Sequence, residues 1–288
     1  MAAVSTGWTY IAMSTILSLN TVLADAGPDG LGKAVSDLRR GHPLYEVWIN
    51  NILSGPHTHA VNIVSNTVAL VGKIGENLTT AAVSGGKHRS LGEIRAELYG
   101  MVQGVREGAE AARMTWKTGQ SRFDNPMETH GGGATAEALA GRGVSRQTSE
   151  AVGRVVTAPS RALQVEDDFF KSIHYRMEVN RLSYQRAKAE GHTGEAFTKR
   201  LSELAQDSDI HDLASTEAAY RTFNKKLGDG DPASKMGSFL MRLRGQHPAM
   251  TLAIPFIRTP LNITKYAGER SPFAMLSKAV RAEVSAGG

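Results

Sequence analysis

Hydrophobic and polar positions alternate along this chain at helical spacings, and no stretch keeps the period of two that a strand requires. Trp8, Ala12, Ile16, Leu19 and Leu23 form one stripe, closed by the turn residues Ala26-Gly27-Pro28-Asp29-Gly30. A helix near Leu44–Leu53 ends at Ser54-Gly55-Pro56, with glycine past its end and proline unable to continue it. The next is expected from about Thr58 to Val83 and stops at Gly85-Gly86. Its positions Val61, Val64, Val68, Val71, Gly75 and Leu78 recur three and four apart, which predicts that this face is buried against another helix.

Ser90 and Glu93 fit a capping box that opens a further helix. There Leu91, Ile94, Leu98, Met101, Val105, Ala109, Ala112 and Trp116 make an apolar stripe. Beside it runs a ridge of Gly100, Gly104, Gly108 and Ala112. A glycine inside a helix costs ~1 kcal/mol relative to alanine, so three on one ridge predict close backbone packing against a partner. Residues 120–148 break the pattern at Asn125-Pro126, His130-Gly131-Gly132-Gly133 and Gly141-Arg142-Gly143, and read as a flexible connector. Thr157 and Pro159 then open a long helix, as N-cap and early-turn proline. Leu163, Phe170, Ile173, Met177 and Tyr184 trace its buried side. Shorter helices are expected near Glu195–Ala205, Ile210–Leu227, Ala233–Arg244 and Phe273–Val284. Pro255 and Pro260 predict a near-extended kink over Ile254–Ile263.

Charge changes this picture at one place. The chain is 21% charged, yet no Asp, Glu, Lys or Arg occurs from Val47 to Gly72. Amides and hydroxyls fill the polar positions there, which suits a surface where charge is costly, such as a protein–protein seam or a membrane interface. The first 24 residues are also uncharged, but lack the leading basic residues of a signal peptide and are too polar for a span. An aromatic content of 6% with abundant Ala and Gly favours closely packed helices over a sandwich. The absence of cysteine excludes disulfides and Cys-based metal centres. The net charge of +5 is spread out, and Arg242 with Arg244 and Lys225 with Lys226 are short clusters. Sequence-specific nucleic-acid binding is therefore not expected.

Candidate chemistry is sparse. Asp167, His174 and Glu178 share a helical face, but Lys171 and Arg181 among them favour a solvated ion-pair surface, through Asp167–Lys171 and Glu178–Arg181, over metal ligation. His57 and His59 point to different sides of a helix, and Gly131-Gly132-Gly133 lacks the Lys-Ser/Thr ending of a P-loop. No nucleophile elbow occurs. These absences predict a protein that is not an enzyme and needs no cofactor or metal.

Trp48-Ile49-Asn50-Asn51-Ile52-Leu53-Ser54-Gly55-Pro56, followed by Thr58-His59-Ala60-Val61-Asn62 and Asn66, resembles a segment of very large phage and prophage proteins. Phe256-Ile257-Arg258-Thr259-Pro260 with Asn262 and Ile263 resembles a later passage of the same proteins, and Glu166–Lys171 with Tyr175–Glu178 their central helix. The group comprises internal virion (DNA-ejection) proteins and polyvalent proteins transferred with phage or mobile-element DNA. The resemblance implies a mainly helical protein with no catalytic residues in this region. It implies packing with itself or other virion proteins, contact with the host envelope, and a location in the virion or host cytoplasm with peripheral membrane association. The chain is short for the group, which implies a trimmed relative or a piece extended at the carboxyl end.

The resulting expectation is an all-α, irregular multi-helix bundle with a glycine-rich connector and a proline-kinked carboxy-terminal segment. Residues 1–119 form an amide- and glycine-rich helical region, 120–148 the connector and 149–288 a helical bundle region. The expected function is structural: a virion component assisting DNA delivery. The alternative is an accessory helical module of a polyvalent protein whose enzymatic domains lie outside this chain. The candidate interaction surface comprises Trp48, Asn50, Asn51, Asn62, Asn66, Gly100, Gly104, Gly108, Arg258 and Asn262.

Overall fold

The computed structural model describes residues 43–123, 133–225 and 257–270, with short helical pieces at 235–236, 239–240 and 242–243. The chain is all-α, and every regular element among the described residues is a helix. These are α1 (Pro43–Leu53), α2 (Pro56–Val83), α3 (Leu91–Thr118), α4 (Ala134–Gly141), α5 (Arg146–Val156), α6 (Ala158–Ala189), α7 (Gly194–Leu204), α8 (Ser208–Arg221) and α9 (Arg258–Glu269). The expected amino-terminal stripe, the Phe273–Val284 helix and most of the Ala233–Arg244 helix lie outside the described residues.

Local signals set most boundaries. Pro56 occupies the first position of α2, where its missing N–H would have no partner anyway. Gly85 and Gly86 both adopt positive φ after α2, and the Gly86 N–H bonds to Ala81 O, closing the helix end. The capping box is present, with Ser90 accepting from the Glu93 N–H and Glu93 reaching back to the Ser90 N–H. Within the stretch read as a connector, Ala134–Gly141 is helical, and α5 begins at Arg146 behind an N-cap on Ser145. Of the segment read as a near-extended kink, residues 258–263 are helical: α9 begins at Arg258 and includes Pro260 in its first turn, where proline removes no helical hydrogen bond, while Ile254–Phe256 lie outside the described residues.

Contacts divide the chain into two compact units. The first contains α1, α4, α5 and the opening residues of α2 and α6. Its α1 packs on α4 and α5, which pack on each other. Two polar side chains on α1, four residues apart, serve other helices. The Glu46 carboxylate accepts from the Gly133 and Thr135 N–H groups at 2.6 and 2.8 Å, at the positive end of α4. Asn50 Oδ1 accepts from the Ser160 N–H at 3.0 Å, in the first turn of α6. Thr157, expected to be that helix's cap, instead donates its hydroxyl to Gly153 O.

The second unit contains α3, α7, α8, α9 and most of α2 and α6. Val179 and Ala187 of α6 pack with Leu204, Ile210 and Ala214 into an apolar core beneath α7 and α8. The glycine ridge of α3 lies against α6. A methyl group on Gly100, Gly104 or Gly108 would meet the backbone of Arg176, Ile173 or Phe169 at 2.4, 2.6 and 2.8 Å. The close approach predicted by the ridge is thus made within the chain.

Candidate interaction surface and the polar interior beneath it

In α2 and α3 several charged and amide side chains face inward and much of the apolar surface faces outward. The buried positions of α2 are Asn66, Ala69, Lys73, Asn77 and Ala81. Those of α3 are Glu93, Ile94, Glu97, Gly100, Gly104, Gly108, Ala111 and Thr115. Val61, Val64, Val68, Val71 and Leu78, expected to be the buried face of α2, are exposed, with Val68 at 65%. The stripe is genuine but faces outward, because the interior this helix meets is charged. No exposed position from Ala60 to Val83 carries a charge. On α3, Leu91, Leu98, Val102, Val105 and Trp116 are exposed, accompanied by Arg95, Arg106 and Arg113.

Lys73 organises the interior. It is 1% exposed and lies 3.2 Å from Glu97 and 3.1 Å from Glu178, with Glu217 at 4.0 Å. Asn77 Nδ2 donates to Glu97 at 2.5 Å, and Arg181 pairs with the other side of Glu178. Burial pushes the Glu178 carboxyl upward, but the Arg181 hydrogen bond and the Lys73 charge outweigh it and hold the group at about 2. Arg221 joins Glu217 to Glu76, and Arg270 donates to Glu76 at 2.5 Å. Burial opposes ionisation of Glu76, yet these two guanidiniums leave its carboxyl below the usual range.

A second group lies farther along α6. Asp167 pairs with Lys171 at 2.6 Å and accepts from Asn224 at 2.6 Å. Burial raises the Asp167 carboxyl to about 6 despite the Lys171 charge. Asp168 accepts from Thr115 and Ser121 at 2.5 and 2.6 Å. Between the groups, His174 is fully buried, and neither ring nitrogen has a hydrogen-bond partner among the described residues. Burial, then the charges of Lys73 and Arg221, push its pKa well below normal, so the ring is neutral at pH 7. The Asp167–Lys171 and Glu178–Arg181 pairs form as expected, but the solvated face is corrected. From residue 158 to 184, α6 has no exposed position.

The charged members of this network are held mainly by one another. Among the described residues no group of three His, Cys, Asp or Glu side chains could hold a metal. Buried ion pairs do not by themselves raise stability, since desolvation offsets their attraction, but leaving one member unpaired is strongly unfavourable. The chemistry available is mutual alignment of α2, α3, α6 and α8.

The residues singled out in the sequence sit mainly inside. Asn50 caps α6, and Asn66 is buried and donates to Asn62 O. Asn62 donates to Glu166 at 2.8 Å. Asn262 is buried and donates to the carbonyls of Phe223 and Lys225, fixing the chain after α8. Gly100, Gly104 and Gly108 contact α6. Trp48 and Asn51 are part-buried on α1, and the Asn51 carbonyl accepts from Ser54. Arg258 opens α9, and its side chain lies outside the described residues. Sequence reasoning passed over Lys73 and Glu76. Their isolation was the available signal, since no other Asp, Glu, Lys or Arg occurs from Val47 to Gly86.

No helix among the described residues is long and apolar enough to cross a membrane. No family model, curated protein or solved structure matches the chain.

Proposed function

We propose that this chain is a non-catalytic assembly protein whose apolar helix faces bind partners. On the sequence resemblance, we further propose that it is an internal virion component assisting DNA delivery, with itself or other virion proteins as partners. The observation that carries the assembly reading is the inverted burial of α2: paired charge inside and an uncharged apolar face outside. Val61, Val64, Val68, Val71 and Leu78 form one continuous exposed stripe and not scattered surface hydrophobics, and such patches mark interaction sites. The phage context rests on the resemblance of the Trp48–Asn66, Glu166–Glu178 and Phe256–Ile263 segments.

Mass spectrometry of nuclease-treated, purified virions from a strain carrying the gene tests the proposal. The expected result is recovery of the chain in multiple copies per particle. Its absence from particles, with the protein abundant in the infected cell, would overturn the virion role.

A further inference from the structure

We propose that the outward face of α2 is a helix–helix seam that binds the same face of a second copy of this chain. This names the partner of the surface on which the assembly reading rests. The exposed residues Val61, Val64, Val68, Val71, Gly75, Leu78 and Ala82 repeat at spacings of three and four over the whole helix. That is the a/d pattern by which helices interlock side chain into gap. An amphipathic helix lying on lipid shows the same spacing, so the pattern marks a face to be covered and the flanking positions decide by what.

The shoulders identify the partner. Positions beside the seam are Ala60, Ser65, Thr67, Gly72, Ile74 and Thr79, none of them charged. In paired helices these flanking positions choose partners through attraction and repulsion. Here nothing repels an identical helix, and nothing offers a counter-charge to a charged one. An interfacial membrane helix carries a basic flank toward the headgroups. The lysine of α2 is instead enclosed by Glu97 and Glu178, and its glutamate is held by Arg221 and Arg270.

The size also fits. With 28 residues, α2 is roughly 42 Å long. The seam from Val61 to Ala82 covers roughly 32 Å of it, almost six helical turns along which two copies can interlock. Methyl groups added at Gly72 and Gly75 would meet nothing within 4 Å among the described residues. A facing helix therefore has room at the middle of the seam.

The chain has no cysteine, so single substitutions report contacts without background. Sedimentation and light scattering on the full chain should give a dimer. Val68→Glu combined with Val71→Glu should weaken it by at least ~10-fold, with unchanged circular dichroism because both sites are exposed. Under mild oxidation Val71→Cys should form a disulfide-linked dimer, while Ser202→Cys on exposed α7 should not. Crosslinking at Val64→Cys and Leu78→Cys as well identifies parallel pairing; crosslinking at Val71→Cys alone identifies antiparallel pairing. Either supports the seam.

A monomer at all concentrations overturns the proposal, as does a dimer indifferent to the double glutamate variant. So does a monomer whose Val68→Cys thiol becomes reactive only when residues 1–24 are removed, since the occupant is then the chain's own amino terminus. Binding of the monomer to anionic vesicles, abolished by the glutamates, overturns it in favour of lipid. A dimer made by a chain absent from virions would leave the seam intact and remove only the virion role.

Discussion

Lys73 Nζ donates to Glu178 Oε2 at 3.1 Å across a sequence separation of 105 residues, with both side chains buried. Glu97 lies on the same ammonium at 3.2 Å. Lys73→Met would leave two carboxylates facing each other without their shared cation. The expected loss is ~3–5 kcal/mol of unfolding free energy, read by urea denaturation. Adding Glu97→Gln should recover part of it, so the double variant should be less destabilised than the sum of the singles. Additivity would show that the two charges act independently.

Two groups on α6 respond to acid with opposite sign. His174 is neutral in the fold and has a normal pKa of about 6.5 when unfolded, so its contribution is present above that pH and lost as pH falls. Asp167 holds its proton up to about 6 in the fold, against 3.8 unfolded. Its contribution is complete below 3.8 and is lost as pH rises through 6. Between pH 6 and 4 the two oppose each other, each with a limiting slope of ~1.4 kcal/mol per pH unit. His174→Gln should therefore make stability rise more on acidification than in the parent, and Asp167→Asn should make it rise less. Denaturation midpoints at matched pH values give the slopes, and variants with the parent's slope would remove these assignments.

Gly104→Ala places a methyl group 2.6 Å from Ile173 Cα, a backbone atom that cannot rotate away. An expected cost of ~1–3 kcal/mol follows from forcing α3 off α6. Gly268→Ala on the exposed side of α9 meets nothing within 4 Å and should gain up to ~1 kcal/mol from helix propensity. Thermal unfolding distinguishes them by sign.

Asn50→Leu removes the oxygen that accepts from Ser160 while retaining bulk. Loss of an N-cap costs ~0.5–2 kcal/mol, and Asn50→Asp should retain most of the bond. Hydrogen exchange at the Ser160 amide should accelerate in the leucine variant and stay slow in the aspartate one.

The elements were legible in sequence where their causes are local. Gly55-Pro56, Gly85-Gly86 and the Ser90–Glu93 box each fix a helix end through contacts of a few residues. Orientation was not. Val61, Val64, Val68 and Val71 look like a core stripe until Glu97 and Glu178 supply partners for Lys73, and those lie in other helices. The glycine ridge announced a close neighbour but carried no information on which one, since α6 meets it through backbone atoms whose identity sequence does not encode. The same inversion holds for the candidate surface: its amides suit an outward face by composition, yet Asn50, Asn66 and Asn262 satisfy main-chain groups inside.

The two caps on α1 also have a consequence in time. Thr135 lies 89 residues after Glu46, and Ser160 lies 110 after Asn50. At synthesis rates of ~5–20 residues per second, Asn50 precedes its partner by roughly 5–20 s. Closing such a loop must come before its contacts repay the lost chain entropy, so this pairing is a late step. During nascent-chain growth α1 thus waits with two unfilled acceptors, and release of the chain before residue 160 leaves the first unit unable to close.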